Sequence, residues 1–230
     1  MATPSVSTLP RLKNGDRLTR FEFERRYQMM PGIKKAELIE GIVYMPFPVT
    51  ARHHSQPHAY LTMWLGTYAV HTPGVTVHDS ATVQLDLDNE PQPDALLRID
   101  EACGGQSRIN DDDYIEGAPE LVVEVAHSSA AYDLHDKKRA YRRNGVQEYV
   151  VWQMEEARLD WFQLEGGAYT TQSPDEDGCL HSTAFPELVL NVKALLDDDP
   201  AAVLTRLNEA LGSETHRNFV SQLEEARSDA

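Results

Sequence analysis

Cysteine is nearly absent: Cys103 and Cys179 are the two in 230 residues. Far apart and with no CxxC, they make neither a disulfide framework nor a zinc site, and the chain reads as reduced. Long apolar runs are missing too. The longest, such as Leu121 to Val123 and Tyr149 to Trp152, fall far short of the roughly 18 residues that span a bilayer. The opening segment ATPSVSTLPRLKNGD carries no apolar stretch of signal-peptide type. The expectation is a cytoplasmic protein with no membrane partner. Positive charge is also scarce: 21 Lys and Arg against 37 Asp and Glu leave a formal net charge of −16. That balance argues against a passive nucleic-acid binder, which needs a basic footprint. No GxGxxG, Walker A or GxSxG motif occurs.

What is present suits a folded protein. Hydrophobic residues make up 41% of the chain, and the length fits one moderate domain with extensions. Charge is unevenly spread. Residues 1–36 hold eight Lys/Arg against three acids and 133–143 hold five against two, whereas 86–120 hold eleven acids against two Arg. Local basic patches around an acidic middle suit either a nucleic-acid enzyme that gathers acids around a cation or a solvated acidic surface.

Along the chain, 1–18 reads as a mobile lead-in. Thr19 and Glu22 form a capping-box pattern for a helix that stops at Pro31-Gly32. AELIEGIVYM reads as a hairpin turning at Glu40-Gly41. Ser55 and Pro57 open a helix with Leu61, Trp64, Leu65 and Tyr68 at helical spacing. ELVVEVA and EYVVWQ read as buried strands joined by a basic helix, Tyr132 to Asn144, ending at Gly145; this is a βαβ crossover. RLDWFQL and AYTTQ add antiparallel strands. After 19–196, residues 197–230 read as an acidic helical extension, an appendage with a hydrophobic stripe available for a dimer. The class is α/β or α+β, with a mixed β-sheet flanked by helices.

Glu124 sits inside an otherwise apolar strand, LVVEV. A carboxylate there is costly unless paired, hydrogen-bonded or bound to a metal; the bland alternative is a solvent-facing residue or an Arg pair. Asp94 follows Pro93 at a strand start, Glu37 lies on the hairpin, and Asp133, Lys137 and Tyr141 share one helix face. By itself that face could be a surface Asp–Lys pair. His54 and His58 stand at the spacing of a zinc helix, without HExxH or an obvious third ligand.

Taken in order, ELIEG, His54, QPDALL, EGAPELVVEV and the series Asp133, Lys137, Tyr141, Gly145-Val146, Glu148-Tyr149 resemble the Uma-type restriction endonuclease family of the PD-(D/E)XK nuclease superfamily, from about Thr19 to Leu190. The resemblance implies a restriction-endonuclease-like core and a Mg²⁺ site, with Mn²⁺ as a substitute, acting on DNA; cutting both strands would need two sites, so a homodimer is expected. It assigns Asp94 and Glu124 as metal carboxylates, the Val125 carbonyl as a further ligand and Glu37 as an acidic helper. Ala126 stands where the superfamily expects a lysine, and Lys137 matches the position to which this family moves it. On that basis Lys137→Ala should cost little stability. His54, Asp133, Tyr141 and His127 are accessory candidates. His127 and Ser128 replace a usual Ser-Pro, and Val150 replaces a frequent aromatic residue. The alternative function is a catalytically silent relative that binds DNA or a protein partner.

Overall fold

The structure is a computed structural model that describes residues 9–45, 50–127 and 132–229. Ser128 and residues 1–8 of the expected lead-in lie outside the described residues. In chain order, helix α1 (Arg20–Gln28) precedes the hairpin β1 (Glu37–Ile39) and β2 (Ile42–Tyr44). A π-helical turn, Ala51–Ser55, runs into α2 (Gln56–His71). Strands β3 (Val75–Asp79), β4 (Val83–Gln84), β5 (Ala95–Ile99), β6 (Arg108–Ile109), β7 (Ile115–Glu116) and β8 (Leu121–Ala126) follow. A second π-helical turn, Asp133–Lys137, leads into α3 (Lys138–Asn144). Then come β9 (Glu148–Gln153), β10 (Arg158–Glu165), β11 (Ala168–Thr171), β12 (Cys179–His181) and β13 (Val189–Asn191). Helices α4 (Val192–Leu196), α5 (Pro200–Leu211) and α6 (Glu214–Asp229) finish the chain.

Six strands form one mixed sheet in the order β11-β10-β9-β8-β5-β3, and only the β8–β9 pair is parallel. The reason is connectivity: a parallel neighbour needs a crossover, which α3 supplies, while the other pairs are antiparallel. Alternation along β8 divides the core. Leu121, Val123 and Val125 pack with Leu61, Trp64, Leu65 and Tyr68 of α2; Val122 and Ala126 pack with Tyr141, Val146 and Tyr149. Trp64, Tyr68, Trp152 and Trp161 are core residues.

Several local expectations change. Thr19 occupies the N-cap but its side chain makes no cap bond, and the Glu22 side chain pairs with Arg25 and Arg26 at i+3 and i+4. Ser55 does not cap α2; the preceding π-helical turn already has it in helical conformation. Residues 9–18 are not a loose lead-in, since Leu12 and Leu18 pack with Phe23, Leu38 and Val43, and Arg17 bridges Ile42. Nor are the C-terminal helices an appendage. Val203, Leu207, Leu211 and Leu223 enter the main core, so the stripe expected to face a second copy is spent inside the chain. Among the described residues, no helix is long and apolar enough to cross a membrane.

Candidate active site

Register puts the two central carboxylates together. Ala95 faces Val123 in the antiparallel β5–β8 ladder, so one step further Asp94 stands opposite Glu124. Opposed residues project to the same face, with Cβ atoms roughly 5 Å apart. Both side chains are buried. Pro93 has no amide to donate, and Asp94 takes over part of the ladder with its side chain: its Oδ2 accepts from the Val125 amide at 2.8 Å.

Glu124 is held by the helix that follows its strand. Its Oε1 accepts from Lys137 Nζ at 2.7 Å and from the Tyr141 hydroxyl at 3.1 Å. The same ammonium lies 2.9 Å from Glu37 Oε1 and 3.8 Å from Asp133 Oδ1. Glu37 Oε1 also accepts from the Gln92 amide at 2.7 Å, and the Tyr132 ring lies 5.4 Å from Nζ. Lys137 is the last residue of a π-helical turn, a distortion found often at functional sites. Burial pushes the Glu124 carboxyl up, Lys137 pulls against it, and Asp94, Asp133 and Glu37 push it up further. Burial would lower Lys137, but Glu124, Glu37 and Asp133 hold it well above the usual lysine range. One enclosed ammonium faces three carboxylates, and the cluster is short of positive charge.

The Lys137 side chain is 3% exposed. That overturns the expectation that its removal is harmless, because two buried carboxylates would lose their cation. The neighbouring Lys138 turns elsewhere: its ammonium sits 3.3 Å above the Phe162 ring. Arg139, Arg142 and Arg143 have internal partners in Asp136, the Gly167 carbonyl, and Glu40 with Asp86.

A second set of groups surrounds Asp94. Lys35 Nζ and His54 Nε2 lie 3.6 and 3.5 Å from its Oδ1. His54 Nδ1 is 3.2 Å from the Val125 carbonyl, and His58 Nε2 donates to the Asp94 carbonyl at 2.7 Å. The His54–His58 pair is thus spent on the Asp94 and Val125 strands, not aligned for zinc. His127 stacks on His53 at 4.9 Å and reaches Glu155 rather than the carboxylates. Lys35, the Gln92 amide and Tyr132 escaped the sequence reading. Lys35 lies two residues before Glu37 in a stretch without regular secondary structure, so no periodicity marked its direction.

Three further buried carboxylates differ in kind. Glu120 accepts from the amides of Ile99 and Gln106, and Glu148 from Ser182, Thr183 and the Ala184 amide. Glu90 lies against Glu24 and Gln84. Glu120 and Glu148 join chain segments; the Asp94–Glu124 pair instead lies beside lysines and a histidine.

Residues 21–193 match the family model described as "Uma2: Putative restriction endonuclease". No curated protein matches the chain. Among solved structures, a protein from Anabaena variabilis ATCC 29413, described as a putative nuclease belonging to DUF820, is similar with a TM-score of 0.57. The likeness covers 75% of this chain and 96% of that one at 15% identity, and it shows a shared fold.

Proposed function

The chain belongs to the Uma2 family of restriction-endonuclease-like proteins, and from that premise we propose that it is a divalent-metal-dependent endonuclease hydrolysing DNA. The observation that carries the reading is the pair Asp94 and Glu124, buried opposite each other on adjacent strands beside Lys137 and Glu37. The donor set fits Mg²⁺ or Mn²⁺: two carboxylates and the Val125 carbonyl are hard oxygens, and Mg²⁺ is usually held by one or two carboxylates plus water and phosphate. Among the described residues no group of three or more His, Cys, Asp or Glu side chains is placed to hold a metal ion by itself, so water and substrate phosphate would have to complete the coordination. Bound there, the cation would supply charge neutralisation at phosphate and a nucleophilic water.

The chain's own residues do the rest. Lys137 and Tyr141 fix the Glu124 carboxylate, the Val125 amide orients Asp94, and the Gln92 amide orients Glu37. Such locking keeps charge in place as negative charge grows on the phosphate oxygens. Hydrolysis adds one water across a P–O bond, its hydroxyl going to phosphorus and its proton, by way of solvent, to the leaving oxygen. Cutting both strands of a duplex calls for two sites, met most simply by a two-fold homodimer; light scattering tests that assembly.

A plasmid assay with Mg²⁺, Mn²⁺ or EDTA tests the activity, with nicking or linearisation expected only when metal is present. In parallel, Mg²⁺ should raise Tm for the native protein by mass action and leave Glu124→Gln unmoved. A wild type without metal-dependent cleavage or stabilisation would leave the silent, partner-binding relative as the function.

A further inference from the structure

Two lysines approach the carboxylate pair, and their surroundings are opposite. Lys137 is enclosed. An ammonium has three donors, and here it faces Glu124 Oε1 at 2.7 Å, Glu37 Oε1 at 2.9 Å and Asp133 Oδ1 at 3.8 Å, with its side chain 3% exposed. Swinging it toward a phosphate would strand Glu37 and Glu124 as buried charges, which costs several kcal/mol per broken pair. Lys35 is held loosely. Its side chain is 28% exposed, and its Nζ lies 3.6 Å from Asp94 Oδ1, beyond hydrogen-bond length.

We infer that Lys35, rather than Lys137, is the lysine that contacts the phosphate undergoing cleavage, and that Lys137 is a positioning residue that holds Glu124 and Glu37. The inference rests on the nuclease reading and assigns the contact within it. Lys35 is well placed for this: it precedes Glu37 by two residues, and its ammonium already lies beside Asp94, just before β5. Its stem spans roughly 6 Å, enough to move the ammonium from Asp94 to a phosphate oxygen while the methylenes stay against the protein. The Val125 amide, donating to the other Asp94 oxygen at 2.8 Å, holds that carboxylate when Lys35 leaves. Ala126, two residues beyond Glu124, offers no cation of its own. Lys35 and Lys137 thus divide the work that one lysine would do there.

Lys34 provides a matched control, being the exposed lysine next to Lys35 in the chain. Binding of a short DNA duplex in EDTA is measured against NaCl concentration, and plasmid cleavage in Mg²⁺, for the wild type and for Lys35→Met, Lys35→Arg, Lys34→Met and Lys137→Met. Lys35→Met should lower the salt slope by about one phosphate contact and lower cleavage by about 100-fold; Lys35→Arg should restore the slope, and Lys34→Met should change neither. Lys137→Met should melt earlier but keep the wild-type slope. If it does not fold, the Glu124→Gln/Lys137→Met double variant, which removes both charges, reads the same slope. A Lys35→Met protein indistinguishable from Lys34→Met overturns the inference, as does a reduced slope in the Lys137 variant. A wild type that neither binds nor cuts DNA fails the nuclease reading itself and the role of Lys35 with it.

Discussion

Charge compensation at single residues governs both stability and chemistry in this chain. Lys137 is buried among Glu124, Glu37 and Asp133, so Lys137→Ala should cost about 3–5 kcal/mol, the range for breaking a buried pair from one side. Thermal or urea melts would show it, and a change under about 1 kcal/mol would mean the ammonium is solvated. Glu90 has the opposite problem. Burial, then its contact with Glu24, pushes its carboxyl from 4.5 up to about 9, against a small pull from Arg20 and Gln84. A raised value means that the folded state keeps the proton more tightly than the unfolded chain does. The associated stability is full below pH 4.5 and drains away as pH rises toward about 9. Glu90→Gln, which mimics the protonated acid, should match the wild type in acid and exceed its Tm increasingly on the alkaline side. A Tm difference independent of pH would contradict the assignment.

At the level of elements, the site depends on how one helix is joined to two parallel strands. Helix α3 ends at Gly145, whose φ of 87° lies in the left-handed region, and a Cβ there would meet nothing within 4 Å. The penalty for Gly145→Ala is therefore backbone strain alone, about 1 kcal/mol. The variant should fold, melt slightly earlier and keep the Mg²⁺ response proposed for the wild type. A loss of that response would mean the helix end transmits its position to Lys137. The Glu40-Gly41 turn, with φ of 53° and 71°, fixes the register of β1 and so the direction of Glu37.

On the scale of the whole molecule, the C-terminal helices belong to the same core as the six-stranded sheet. Leu207 is fully buried alongside Trp64 and Leu190, so Leu207→Ala should cost about 2–5 kcal/mol and lower one transition that includes tryptophan fluorescence. A separate early transition with unchanged tryptophan signal would show the helices to be an independent unit. Their acidic outer faces contribute to the net charge of −16, which would sharpen the need for local cations at the proposed DNA-binding site.

The sequence by itself determined the elements whose signals are local. The buried strands LVVEV and EYVVWQ, the basic helix between them, the Glu40-Gly41 hairpin and the Gly145 stop could all be read from apolar runs and turn residues. Glu124 was legible as a site candidate for the same reason: a charge inside an apolar strand needs a partner. Tertiary structure decided what that partner was. Register set Asp94 opposite Glu124, and packing of α3 enclosed Lys137 among carboxylates from three segments. Neither the enclosure of Lys137 nor the approach of Lys35 to Asp94 follows from spacing along the chain, because burial depends on what covers a residue from distant sequence. The same holds for the C-terminal stripe: its periodicity marked an apolar face, but only the packed molecule showed that α2 and β13 cover it.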